Sequence, residues 1–141
     1  MKQKKLLVSL AIGLNLALIW GNSLLPGDDS GAMSDWVMKL LSFLPQTELA
    51  HTVLRKAAHF SEFAFLGLLV GQMGKLSTGK PVWSLAGFGL AAGCIDETIQ
   101  IFTPGRASSL VDVWIDTFGF AAGLSLVIFV YHFKKRKELQ P

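Results

Sequence analysis

Residues 6–25 form an apolar run without a single Lys, Arg, Asp or Glu, and about 20 such residues are what a helix needs to cross the hydrocarbon core of a bilayer. This constrains the chain more than any motif, because a backbone in lipid has no water to satisfy its N–H and C=O groups and must bond them internally. Three further apolar stretches cover residues 57–73, 82–102 and 112–133. At 141 residues and 51% hydrophobic composition, with a mean hydropathy of +0.46, the chain is too apolar for an ordinary soluble domain and has the length of one small membrane bundle. The expected fold is all-α: a single membrane domain over residues 1–141, with four transmembrane helices and a short extracytoplasmic amphipathic helix between the first and second.

The opening MKQKK followed by an apolar run imitates a secretory signal peptide, but the run continues to Leu25 with no small-x-small cleavage site, so it reads as a retained first span. Trp20 near its far end suits an interfacial belt, and Pro26 and Gly27 end the helix. After a short acidic turn, residues 34–44 (SDWVMKLLSFL) place Trp36, Val37, Leu40, Leu41 and Leu44 at helical spacing. Such a segment lies on the bilayer or caps the bundle as a lid. Thr47, after Pro45, is an N-cap for the helix that becomes the second span. The segment KLSTGK reads as a loop before the third span, and Ser109 as the N-cap of the fourth. Cys94, the single cysteine, excludes an internal disulfide and reads as a buried small hydrophobe. Small-xxx-small pairs (Gly67 and Gly71, Gly89 and Gly93, Gly119 and Gly123) predict close contact among the last three spans.

Charge is rare in these spans and is not scattered. Arg55, His59 and Glu62 follow at i, i+4 and i+7, with Lys56 three residues before His59, so the four project to one side of the first turns of the second span. Asp96, Glu97 and Gln100 end the third; Arg106 lies in the Pro104–Gly105 loop; Asp112 and Asp116, at i and i+4, begin the fourth. With four spans the termini share a side, and Lys2, Lys4, Lys5, Lys75, Lys80, Lys134, Lys135, Arg136 and Lys137 lie on it, against Lys39, Arg55, Lys56 and Arg106 opposite. The positive-inside bias then makes both termini cytoplasmic in a multi-pass protein of the plasma membrane. Ser23 and the polar groups of residues 55–62, 96–100 and 106–116 fall at one extracytoplasmic depth, as expected of a polar cavity at the outer leaflet. The basic residues sit at span ends and need no nucleic-acid partner.

Three motifs, RKAAHFSEF over residues 55–63, DETIQIFTPGR over 96–106 and DVWIDTFG over 112–119, make the chain resemble the VanZ-like family of small bacterial membrane proteins. Asn22 and Ser23, followed by Ser30 and Ser34, echo the serine-dotted end of that family's first helix. The chain departs from the family pattern at Phe63, commonly Tyr, and at Asp116, commonly Asn. The resemblance implies a role at the cell envelope connected with glycopeptide resistance, especially to teicoplanin.

Three readings of the polar constellation stand side by side. In an enzyme, His59 serves as acid or base tuned by Lys56 and Glu62. Asp96, Glu97 and Asp112 share a proton or hold a divalent cation, a cofactor the sequence allows without specifying. Lys56 and Arg106 then take the phosphate or carboxylate of a lipid-linked substrate. In a binding protein, Arg55, Lys56, Gln100, Arg106, Asp116 and Ser23 line a cavity that recognises a membrane lipid, an envelope precursor or a glycopeptide's anionic groups without turnover. In a scaffold, the charges only pin helices together, Lys56 with Glu62 and Arg106 with Glu97. There is no HExxH, no CxxC and no nucleophile elbow. Small-residue helix faces also leave room for a homo-oligomer.

Overall fold

The computed structural model describes residues 1–40 and 47–138, without the side chains at 29, 30 and 33. Every described element is helical: α1 (Lys2–Ser23), α2 (Gly27–Leu40), α3 (Glu48–Thr78), a 3-10 turn (Trp83–Leu85), α4 (Ala86–Ile101) and α5 (Leu110–Glu138). Among the described residues, three segments are long and apolar enough to cross a membrane: α1, the run Trp83–Phe102 and α5. The sequence predicts a fourth. Its counterpart α3 has 31 residues, but His59, Glu62 and Gln72 dilute its apolar face.

Several boundaries move, each for a local reason. The predicted acidic turn after Pro26 is instead the start of α2, which begins at Gly27 rather than Ser34; Pro26 is well placed just before a helix, and an acid at Asp28 complements the positive end of its dipole. The expected positions Leu41 and Leu44 lie outside the described residues. Thr47 caps α3 as predicted, its Oγ1 accepting from the Ala50 amide at 3.2 Å. That helix runs through Lys75 to Thr78, where KLSTGK suggested a loop, and stops at Gly79, whose φ of 78° is the left-handed cap that glycine supplies. Ser109 caps α5, accepting from the Val111 amide at 3.2 Å, and the helix continues past Phe133 to Glu138.

α5 packs most extensively on α3 and next on α4, while α1 leans on α3 and α4. The core comprises Ile19, Phe63, Leu66, Val70, Ala92, Phe120 and Leu124. The glycine pairs do what their spacing predicts: a Cβ on Gly67 would strike the Phe120 carbonyl, and one on Gly119 or Gly123 would strike the Phe60 or Ala64 carbonyl. Backbone therefore meets backbone where α3 crosses α5. Trp20 is half-buried, and its indole N–H donates to the Ala92 carbonyl at 3.4 Å, joining α1 to α4 rather than serving only an interfacial belt. Cys94 is exposed on the outer face of α4, not buried as expected. Outward faces elsewhere are also apolar, with Leu7, Leu10, Leu14 and Leu18 exposed along α1, the surface a bilayer covers.

Candidate functional site

The loop between α4 and α5 is a tight turn built by its sequence. Pro104 and Gly105 occupy its centre, Gly105 at φ 71°, and the Arg106 amide donates to the Thr103 carbonyl at 3.2 Å, the pattern of a type II turn. This turn is stitched to the end of α1. Thr103 Oγ1 donates to the Ser23 carbonyl at 2.9 Å, Arg106 Nη2 to the Asn22 carbonyl at 2.7 Å and Arg106 Nε to the Leu25 carbonyl at 3.2 Å. The Gly27 amide closes the join on the Pro104 carbonyl at 3.0 Å. A guanidinium at these carbonyls satisfies acceptors that a helix C-terminus leaves open and complements its dipole.

Inside that join lies a buried polar cluster. Ser23 Oγ donates to Asp96 Oδ1 at 2.6 Å. Gln100 Nε2 donates to Asp96 Oδ2 at 2.9 Å and to Glu97 Oε1 at 3.3 Å, so the i, i+4 pairing of Asp96 with Gln100 holds. The other Glu97 oxygen accepts the Ser109 amide at 2.7 Å, placing a carboxylate at the start of α5 where the dipole favours it. With both oxygens engaged, Glu97 orders the α4–α5 junction. His59 from α3 reaches the same cluster, its Nδ1 lying 3.5 Å from Asp116 Oδ1 and 3.8 Å from Asp96 Oδ2. Asp96 and Asp116 are fully buried, and His59 nearly so.

Toward the surface the cluster opens into a cavity of about 140 Å³ lined by Arg55, Lys56, His59, Gln100, Arg106 and Asp112, among others. Lys56 pairs with Asp112 of α5, and Arg106 bonds the α1 carbonyls. The expected pairs Lys56 with Glu62 and Arg106 with Glu97 do not form. An ammonium reaches across a helix crossing more readily than to i+6 on its own helix, which lies well around the helix from it. Glu62 is half-buried and forms neither a hydrogen bond nor an ion pair among the described residues. Burial pushes the Arg106 guanidinium below its usual range, the positive charge of Arg55 adds to that, and Asp96 and Glu97 pull the other way. Arginine stays charged throughout, so the cavity carries a cation–cation repulsion that an anion relieves.

A second pocket of about 120 Å³ adjoins the first through Arg55, His59 and Arg106 and is otherwise lined mainly by Val37, Leu54, Ala58 and Asn22, between α2 and α3. All eleven sequence-selected residues thus lie at one end of the bundle. Those brought into the buried cluster are Ser23, His59, Asp96, Glu97, Gln100 and Asp116; Arg55, Lys56, Arg106 and Asp112 line the cavity, and Glu62 lies beside the cluster, within the electrostatic reach of His59, Asp96 and Asp116 but without a hydrogen bond to them. One contributor was missed: Thr103, read only as a helix breaker, which donates to the Ser23 carbonyl; away from the site, Asn15 is a buried amide in mid-α1 whose Oδ1 lacks a partner among the described residues. For Asn15 the available signal was a polar residue in the middle of an apolar run.

Comparison with known proteins gives one match: a family model described as VanZ/LLP1 fits residues 8–131. Neither the curated proteins nor the solved structures contain a match.

Proposed function

The chain belongs to the VanZ/LLP1 family, and from that premise we propose that its polar end is an outer-leaflet site that binds the anionic head of a lipid-linked envelope ligand. The observation that carries this reading is the pair of joined pockets. One presents Arg55, Lys56 and Arg106 with a single acid, Asp112, already paired with Lys56; the other, sharing Arg55, His59 and Arg106 with it, is walled by Val37, Leu54 and Ala58. A charged group beside an apolar slot is the complement of an amphiphile with a phosphate or carboxylate head. The cavity is too small to enclose a glycopeptide, so any protection from teicoplanin works through an anionic group or through the envelope ligand. His59 faces the cavity and is backed by Asp96 and Asp116, an arrangement suited to acid–base work on the bound head group.

The same reading includes a topology. α3 crosses as a fourth span beside the three apolar helices, completing a single bundle with both termini cytoplasmic. Its length of 31 residues, about 46 Å at 1.5 Å per residue, exceeds the hydrocarbon core. A homo-oligomer on small-residue faces would use Gly13 and Gly21 of α1, which have open space around them, because the other glycine pairs are occupied within the bundle.

A scaffold reading has its own support, since Lys56–Asp112 and the Arg106 bonds tie helices together. Arg55 separates the two, being exposed and without an ion pair among the described residues. The test compares wild type and Arg55→Ala, as purified chains in micelles, for binding of phosphatidic acid against phosphatidylcholine. Alongside it, teicoplanin susceptibility is measured in cells expressing wild type, Arg55→Ala, His59→Ala or Glu97→Gln at matched membrane abundance. Selective binding of the acidic lipid, weakened in Arg55→Ala, supports the site. Equal binding of both lipids by both proteins leaves the scaffold reading.

A further inference from the structure

Beneath the cavity, one ligand atom each from His59, Asp96 and Asp116 lies within 4.8 Å of the others. Acid clusters are common, but this one has a second feature. Both Asp116 oxygens and His59 Nδ1 are buried without any hydrogen-bond partner among the described residues, although Asp116 is fully buried. An unsatisfied buried carboxylate is costly, and the surroundings favour the approach. Gly93 has no side chain where a Cβ would stand 3.2 Å from Asp116 Cβ and 3.5 Å from its Oδ2.

We infer that His59, Asp96 and Asp116 form a binding site for a first-row divalent cation of the Mn²⁺ or Zn²⁺ type. The distances fit. Bonds of about 2.0–2.1 Å in a tetrahedral site put ligand atoms about 3.4 Å apart, and His59 Nδ1 stands 3.5 Å from Asp116 Oδ1 and 3.8 Å from Asp96 Oδ2. One imidazole nitrogen with two carboxylate oxygens is a borderline donor set. It has too few oxygens for Ca²⁺ and no thiolate for a soft ion. The supporting hydrogen bonds that orient metal ligands are in place on Asp96, from Ser23 Oγ at 2.6 Å and Gln100 Nε2 at 2.9 Å. Three protein ligands leave a coordination position open, and His59 also lines the cavity. The cluster read from sequence as Asp96, Glu97 and Asp112 is replaced here, since Glu97 and Asp112 are engaged by Ser109 and Lys56.

The test uses the full chain in detergent micelles, stripped with chelator and titrated with Mn²⁺ by electron paramagnetic resonance and with Zn²⁺ by equilibrium dialysis. One saturating ion per chain is expected, with Asp116→Asn weakening affinity at least tenfold and Glu48→Gln, an exposed acid outside the cluster, leaving it unchanged. Ser23→Ala removes only a supporting hydrogen bond and is expected to weaken affinity about 10–100-fold with the helical circular dichroism intact. It decides the matter should Asp116→Asn fail to fold. Folded wild type that takes up neither ion, or that binds no more tightly than Asp116→Asn and Ser23→Ala, overturns the site and leaves a cluster that only shares protons. Phosphatidic acid binding, measured on the same samples, separates failure here from failure of the anion site.

Discussion

Consider Gly119→Ala. A Cβ there would strike the Phe60 carbonyl oxygen and stand 3.1 Å from both Phe60 C and Phe60 Cα, where ordinary contact begins near 3.4 Å. Backbone atoms cannot rotate aside, so α3 and α5 must part along their longest contact. A radial gap of about 0.5–1 Å forfeits roughly a quarter to a half of the dispersion energy of the atoms facing it, and overpacking of this kind costs about 1–3 kcal/mol. The upper half of that range is expected here. Phe60 adjoins His59, so the same separation pulls His59 away from Asp116. The control is Gly13→Ala on α1, where nothing lies within 4 Å and exchanging Gly for Ala adds up to about 1 kcal/mol of helix propensity. Equilibrium unfolding in mixed detergent–SDS micelles, followed by circular dichroism, gives both free energies. If Gly119→Ala proves as stable as Gly13→Ala, the close α3–α5 crossing is wrong, and the geometry of the buried cluster with it.

Gly105→Ala places a side chain at φ 71° and is expected to destabilise by about 1–2 kcal/mol in the same unfolding assay, with no loss expected for Gly87→Ala, a helical position with open space where Ala is the better helix former. A double-mutant cycle of Lys56→Met and Asp112→Asn should give a coupling of about 1 kcal/mol, at the top of the range for exposed pairs, because both side chains are partly buried; zero coupling removes the pair from the account of the bundle. For orientation, a chain with Cys94 changed to Ala and a cysteine introduced at Ala107 should react with a membrane-impermeant maleimide in intact cells. One introduced at Glu138 should not, and the reverse pattern would invert the topology.

The helices were legible because apolar runs, Thr47 and the glycine pairs act within one helix or between helices of similar composition. So was the gathering of charge at one end, which follows from span direction alone. Partner choice was not. Asp112 and Asp116 share a face of α5 by spacing, and nothing local tells them apart. Their fates diverge because Gly93 admits α5 closely enough to bury Asp116, while Asp112, one turn nearer the surface, meets Lys56. Helix ends were misjudged where KLSTGK was read as a loop: Gly74 is buried within α3, and Gly79 stops the helix.

The stitching of α1 to the α4–α5 turn also bears on biogenesis. Ser23 waits 73 residues for Asp96, and Asn22 waits 84 for Arg106. At roughly 5–20 residues per second of synthesis that is about 4–17 s. During that interval α1 is without α4 and the turn that follows it, and it can be, because the groups awaiting partners sit at its end, within reach of water. Asn15, in mid-helix, is shielded from lipid only once α3 and α4 pack on α1, so the newborn α1 should linger beside the insertion machinery until they arrive.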